Sequence, residues 1–167
     1  MELKESIYNK LKELKIEYSV INHKAIFSEK DTNFDDFANN ITIGKNLFLR
    51  NKNKTKYYLI MLPLTKRVKL DELSEKLSET RFSFANEKEL DNYLKISPGS
   101  VSYLNVITAE KLGGNIKEVI YIIDKELMMC ELIAFHPSDN TASVVTKPNI
   151  ISTIFEEYSL KYNIIDL

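Results

Sequence analysis

The sequence predicts an α+β fold: one domain in which a mixed sheet is surrounded by helices. Three observations lead there. The 167 residues fit one domain, which can bury roughly 70% of the surface its unfolded chain exposes and needs no disulfide or metal staple. Segments with apolar residues three and four apart are interspersed with short apolar runs of strand length. No internal repeat, low-complexity tract or linker divides the chain, so residues 1–167 are read as a single domain.

Residues 2–15 open as an amphipathic helix, with Leu3, Ile7, Leu11 and Leu14 on one face. Ile16 to Ile21 reads as extended, followed by a polar turn at Asn22-His23-Lys24, and Thr32 to Asn40 as a weakly patterned helix. Asn46 to Leu49 and Tyr57 to Leu62 are strands of a hairpin whose charged tip is Arg50 to Lys56; Pro63, lacking an N–H, ends the second. Val68 to Leu77 puts Leu70, Leu73 and Leu77 on one helical face, and Arg81 to Phe84 is a short strand. Asn86 with Glu89 three residues on marks the start of a helix ending near Leu94. Ser97-Pro98-Gly99-Ser100 is a turn by composition. Val101 to Ile107, Val119 to Ile123, Leu132 to Phe135 and Ala142 to Thr146 are predicted strands, the second apolar throughout as for a strand covered on both faces. A helix from Asn149 to Tyr158 and an edge strand from Asn163 to Leu167 close the chain.

Composition excludes several functions. No apolar run approaches the ~18 residues of a membrane span, and the start, Met-Glu-Leu-Lys-Glu-Ser, has neither an apolar signal core nor the acid-poor character of a transit peptide. The expected location is cytoplasmic, with no membrane partner. One cysteine, Cys130, excludes a disulfide framework and a Cys-rich zinc site, and two histidines cannot build a His-rich one. With four glycines, the chain has neither a Gly-x-x-x-x-Gly-Lys nor a Gly-x-Gly-x-x-Gly phosphate loop. Cys130 and His136 are spaced as a conceivable nucleophile pair, although Cys130, after Met128 and Met129, reads more simply as a small core residue. Net charge is −1, yet residues 43–70 carry eight basic side chains and no acidic one. That window reads either as a phosphate-docking surface or as a solvated hairpin.

Three segments carry polar groups suited to a site. Gly44-Lys45-Asn46-Leu47-Phe48-Leu49 sets a lysine at the entrance of an apolar strand, beside a glycine that permits close approach of a ligand backbone. The Ser97–Ser100 turn exposes backbone amides able to hold an oxyanion or a carbonyl. His136, within Phe135-His136-Pro137-Ser138-Asp139-Asn140-Thr141-Ala142, sits at a strand end. Each alone also reads as an ordinary strand end or turn.

In order and spacing these segments resemble one family. Lys45-Asn46-Leu47-Phe48-Leu49-Arg50, Tyr57-Tyr58-Leu59, Lys66-Arg67-Val68, Phe82-Ser83-Phe84-Ala85, Ser97-Pro98-Gly99-Ser100-Val101, Phe135-His136-Pro137 with Asn140-Thr141-Ala142, and Ile164-Ile165-Asp166-Leu167 are similar to the YbaK/prolyl-tRNA-synthetase-associated (ProX/PrdX-type) domain family. Lys-Asn-Leu-Phe with Phe-His-Pro-x-x-Asn-Thr-Ala looks like its Ala-tRNA(Pro) deacylase branch; the cysteinyl branch usually has Lys-Thr at the first site. The resemblance implies a mixed, barrel-like sheet with peripheral helices. It implies a trans-editing hydrolase that cleaves the ester of mischarged Ala-tRNA(Pro) with no cofactor and no metal. The reaction is substrate-assisted, the 2′-hydroxyl of the terminal adenosine helping to activate water. The implied roles are Lys45 on the terminal nucleotide or its phosphate, Asn46 on the ester end, Gly99 on the aminoacyl carbonyl, and His136 lining the same pocket. Ser97, Pro98, Ser100, Tyr103, Asn140 and Thr141 complete the substrate site, and Arg50, Lys66 and Arg67 contact the acceptor end of tRNA(Pro). Prolyl-tRNA synthetase is the second partner the resemblance raises. Alternatives are a deacylase for another mischarged tRNA, carrying Cys or Ser, and a non-catalytic tRNA- or amino-acid-sensing module. Three departures stand out: Lys24-Ala25 after His23, where relatives often have prolines; Tyr103, where Phe is common; and a slightly long loop 108–117 with Gly113-Gly114.

Overall fold

The computed structural model describes residues 2–167. In chain order the main elements are α1 (Leu3–Glu13), β1 (Ser19–Asn22), β2 (Ile41–Arg50), β3 (Tyr57–Pro63), α2 (Leu70–Lys76), β4 (Ser83–Phe84) and α3 (Glu87–Leu94). They continue with α4 (Asn105–Lys111), β5 (Val119–Asp124), α5 (Lys125–Met128), β6 (Leu132–Phe135), β7 (Ala142–Thr146), α6 (Ile150–Glu157) and β8 (Tyr162–Ile165). The strands form one eight-stranded mixed sheet in the order β1-β7-β6-β2-β3-β5-β8, with β4 attached to β2. The α+β architecture is the one the sequence predicts.

The centre of the sheet is buried on both faces. All seven residues of β3 are buried, and alternation sends them to two cores. Tyr57, Leu59 and Met61 join the larger cluster under α1, α4 and α6, with Ile7, Leu11, Val106 and Phe155. Tyr58, Ile60 and Leu62 join the smaller one with Leu73 of α2 and Phe82. The helix starting at Asn86 has the predicted cap: the Asn86 side chain accepts from the Glu89 N–H, and Glu89 returns the bond.

Two expectations are corrected. Val101 to Ile107 is not a strand: residues 97–104 are irregular and Asn105–Lys111 is helical. The Ser102 N–H donates to Asn105 Oδ1 (2.5 Å), and the Leu104 N–H to the Ser102 hydroxyl (3.2 Å). These side-chain bonds turn the backbone into α4. Because Asn105 to Ala109 are all buried, the apolar run shows no helical stripe. Thr32 to Asn40 keeps only a single 3₁₀ turn at Phe34–Asp36, held by the Asn33 side chain accepting from the Asp35 N–H.

β2 creates the site. It pairs in parallel with β6 only over Ile41–Ile43, and antiparallel with β3 from Gly44 to Arg50. The Leu64 N–H donates to the Ile43 carbonyl, and the Ala85 N–H to the Phe48 carbonyl. By the alternation of a ladder, the polar backbone groups of Gly44, Asn46 and Phe48 therefore face away from β3. On that edge β6 stops at Ile43, and β4 pairs only with Leu49 and Arg50. Between them the edge of β2 is a notch that no strand fills.

Candidate active site at the open edge of β2

A cavity of about 320 Å³ opens at this notch. Gly44, Lys45, Asn46, Pro98, Gly99, His136 and Asn140 all line it. Three segments spread between residues 44 and 140 of the chain are thus brought to one place.

Lys45 and Asn46 point to opposite faces of β2 and meet at the notch because its edge is open. The Lys45 ammonium is half-buried and donates to the Lys66 carbonyl (2.7 Å). Burial lowers its pKa; the nearby Arg67 acts in the same direction, and Glu29 opposes it. Asn46 Oδ1 accepts from the Tyr103 N–H (3.1 Å), which leaves the amide nitrogen for a ligand. The Ser100 N–H donates to the Ser97 carbonyl (3.3 Å) across a turn with Gly99 at φ +87°. Pro at the second position and a positive φ at the third are the type II pattern. The Gly99 N–H lies outside the turn's own hydrogen bond and is free to meet an oxygen.

His136 is mostly buried, and its Nδ1 has no hydrogen-bond partner. Burial pushes its pKa down to about 4, with His23 adding to the effect while the Val101 backbone and Asp139 oppose it. At neutral pH the ring is therefore an uncharged imidazole. Asp139 is held well below the usual carboxylate range by Lys4 (2.8 Å) and Thr141 (2.6 Å), which fixes the turn that follows.

Other predicted site residues lie elsewhere. Tyr103 is in the core, 1% exposed; its ring packs edge-on against Phe135, which in turn lies against Gly44. It supports the cavity through its backbone N–H rather than forming a wall. Thr141 serves Asp139, and its carbonyl accepts from the His23 N–H. Ser100 lines a second cavity of about 400 Å³, which shares Phe27, Pro98, Gly99 and Asn140 with the first, and Ser97 lines neither. Arg50 is ion-paired with Glu89, and Lys66 with Asp124 (2.7 Å) and Glu126 (3.1 Å). Arg67 is exposed beside Lys45. Cys130 bonds to the Glu126 carbonyl and does not line the cavity.

Sequence reasoning missed His23, Phe27, Phe84 and Ser143, all in the cavity lining. Phe27 and Phe84 are 77% and 59% exposed at its mouth. The scarcity of histidine was a usable signal, since both histidines of the chain meet here. Nothing in the sequence marked Ser143. Among the described residues, no group of three His, Cys, Asp or Glu side chains is placed to hold a metal ion, and no helix is long and apolar enough to cross a membrane.

Residues 38–153 match the model of the aminoacyl-tRNA editing domain. The chain belongs to that family. Along its whole length it is 33% identical to a prolyl-tRNA editing protein, ProX, of Acetoanaerobium sticklandii, covering 99% of that protein. It is 24% identical over 151 residues to a mouse prolyl-tRNA synthetase associated domain-containing protein, covering 88% of this chain and 86% of the relative. A solved candidate trans-editing enzyme for prolyl-tRNA synthetase shares the fold at TM-score 0.64 and 12% identity, covering 97% of this chain and 95% of that one. A computationally designed epitope scaffold shares it at TM-score 0.73 and 13% identity, covering 100% and 97%. The editing-domain match spans every segment that lines the notch from β2 to β7.

Proposed function

We propose that this editing domain, acting as one unit over residues 1–167, is a trans-editing deacylase that hydrolyses the ester of mischarged Ala-tRNA(Pro). The observation that carries the reading is the convergence of Lys45-Asn46, the Gly99 turn and His136 on one cavity. An acyl ester needs its carbonyl polarised, its leaving sugar held and water admitted. In this reading Lys45 holds the terminal nucleotide by its phosphate or ribose, and the Asn46 amide nitrogen positions the ester end. The Gly99 N–H receives the aminoacyl carbonyl, whose oxygen gains charge in the tetrahedral transition state. His136, uncharged, forms part of the wall, and the 2′-hydroxyl of the terminal adenosine helps to activate water. The editing task has a physical origin: a prolyl pocket rejects a smaller side chain by only a few kcal/mol, so a second, tighter sieve must clear alanine. The mischarged substrate is the product of prolyl-tRNA synthetase.

The test is a time course of ester loss from Ala-tRNA(Pro), with Pro-tRNA(Pro) as control and Cys- and Ser-charged tRNAs as competitors. Rapid loss from the alanyl ester alone is expected. Lys45→Ala abolishes it while leaving the circular dichroism spectrum unchanged; retained activity in a folded variant would overturn the reading.

A further inference from the structure

The sequence carries two histidines, and the role proposed above uses only His136. The other, His23, holds a fixed hydrogen-bond chain. Its Nδ1 lies 2.8 Å from the Lys24 carbonyl, and its Nε2 lies 2.8 Å from Ser143 Oγ. A carbonyl only accepts, so in the neutral ring Nδ1 carries the hydrogen and Nε2 accepts. The Ser143 hydroxyl must then donate to Nε2, which leaves its oxygen presenting lone pairs alone to the cavity. Ser143 sits on β7, 4% exposed, in the cavity lining. His136 Nδ1, on another wall of this cavity, is buried and has no hydrogen-bond partner. The lone pairs that Ser143 Oγ keeps toward the cavity can accept from a ligand's donor.

We infer that Ser143, oriented by His23, receives the α-amino group of the aminoacyl ester. This rests on the deacylase reading. The part of such a substrate that reaches deepest is its acyl end, and an alanyl group has hydrogen-bond donors on the α-nitrogen alone. The amino group satisfies Ser143 Oγ and distinguishes an aminoacyl ester from a simple acyl ester of the same shape. His23 acts as a positioning residue: it fixes which way the serine hydroxyl points.

The experiment compares alanyl-tRNA(Pro) with isobutyryl-tRNA(Pro), in which a methyl replaces the amino group with little change in size. Each enzymatic rate is divided by the uncatalysed rate in the same buffer, which removes the inherent difference in ester reactivity. The wild-type protein is expected to prefer the alanyl ester roughly tenfold, the scale of leaving one buried acceptor unpaired. Ser143→Ala brings that preference close to one. His23→Ala, which keeps the serine oxygen but frees its hydrogen to turn, lowers the preference several-fold and serves should Ser143→Ala not fold. Equal wild-type rates on both esters overturn the inference and leave the deacylase reading standing. So does an equal loss on both esters in Ser143→Ala, which would mark a proton-transfer role. If the wild-type protein hydrolyses neither ester, the deacylase reading falls and this inference falls with it.

Discussion

At the scale of single residues, the cavity works by what burial does to charge. His136 is the clearest case, because burial favours its neutral form. The unfolded chain binds a proton there near pH 6.5, whereas the folded one waits until about pH 4. Between those values the unfolded state holds more protons, so stability is full above pH 6.5 and falls as the pH drops toward 4. The loss is at most about 3 kcal/mol. The urea midpoint of the wild-type protein is expected to decline across this interval, and that of His136→Gln to decline less steeply. Parallel curves would show that the imidazole is not the group responsible. Asp139 shifts in the same direction, down from its usual 3.8, so its contribution is present above that value and is lost only as the pH falls below it. The residue types at 45, 46, 99 and 136 were legible in the sequence. The coupling of Ser143 to His23 was not, because it joins strand β7 to the loop after β1 across 120 positions.

At the scale of elements, the notch depends on how β2 is shared between partners. Gly44 reads from the sequence as a place for a ligand to approach. The structure gives it a different occupant: a Cβ there would lie 2.0 Å from Phe135 Cζ. The glycine lets the buried Phe135 ring lie flat on the strand just where β6 peels away. Gly44→Ala is therefore expected to push that ring toward Tyr103, with overpacking that costs about 1–3 kcal/mol. Thermal melts should show it as a lower midpoint, and an unchanged midpoint would mean the ring has room to move. The β2–β3 hairpin and the α3 cap were legible because their signals are local, at Pro63 and Asn86. Helix α4 was not, since its apolar run is buried all round and only the Ser102 and Asn105 side chains decide its direction.

At the scale of the whole molecule, the basic window divides into two regions. Lys45, Lys66, Arg67 and Lys69 lie at one end of the β2–β3 hairpin, while Lys52, Lys54 and Lys56 lie at its tip, about 20 Å away along the strands. Several of these charges are already engaged: Arg50 with Glu89, Lys66 with Asp124 and Glu126, and Lys56 with Glu79. Arg67 is exposed next to the cavity, and in the deacylase reading proposed above it is the cation offered to the acceptor end. Arg67→Ala is expected to weaken tRNA(Pro) binding and to reduce the slope of log affinity against log salt by about 1. Arg50→Ala should show its effect in the melting temperature instead, and equal salt slopes for Arg67→Ala and the wild type would remove Arg67 from the interface. The sequence by itself determined the α+β class, most strands, the Asn86 cap of α3 and the three segments of the candidate site, because periodicity, turn chemistry and residue type act over a few neighbours. Only the tertiary structure decided which cations are neutralised, which apolar run coils, and that an unfilled strand edge gathers both histidines and Ser143 around one cavity. Those outcomes are contacts between distant parts of the chain, and short-range pattern carries no record of them.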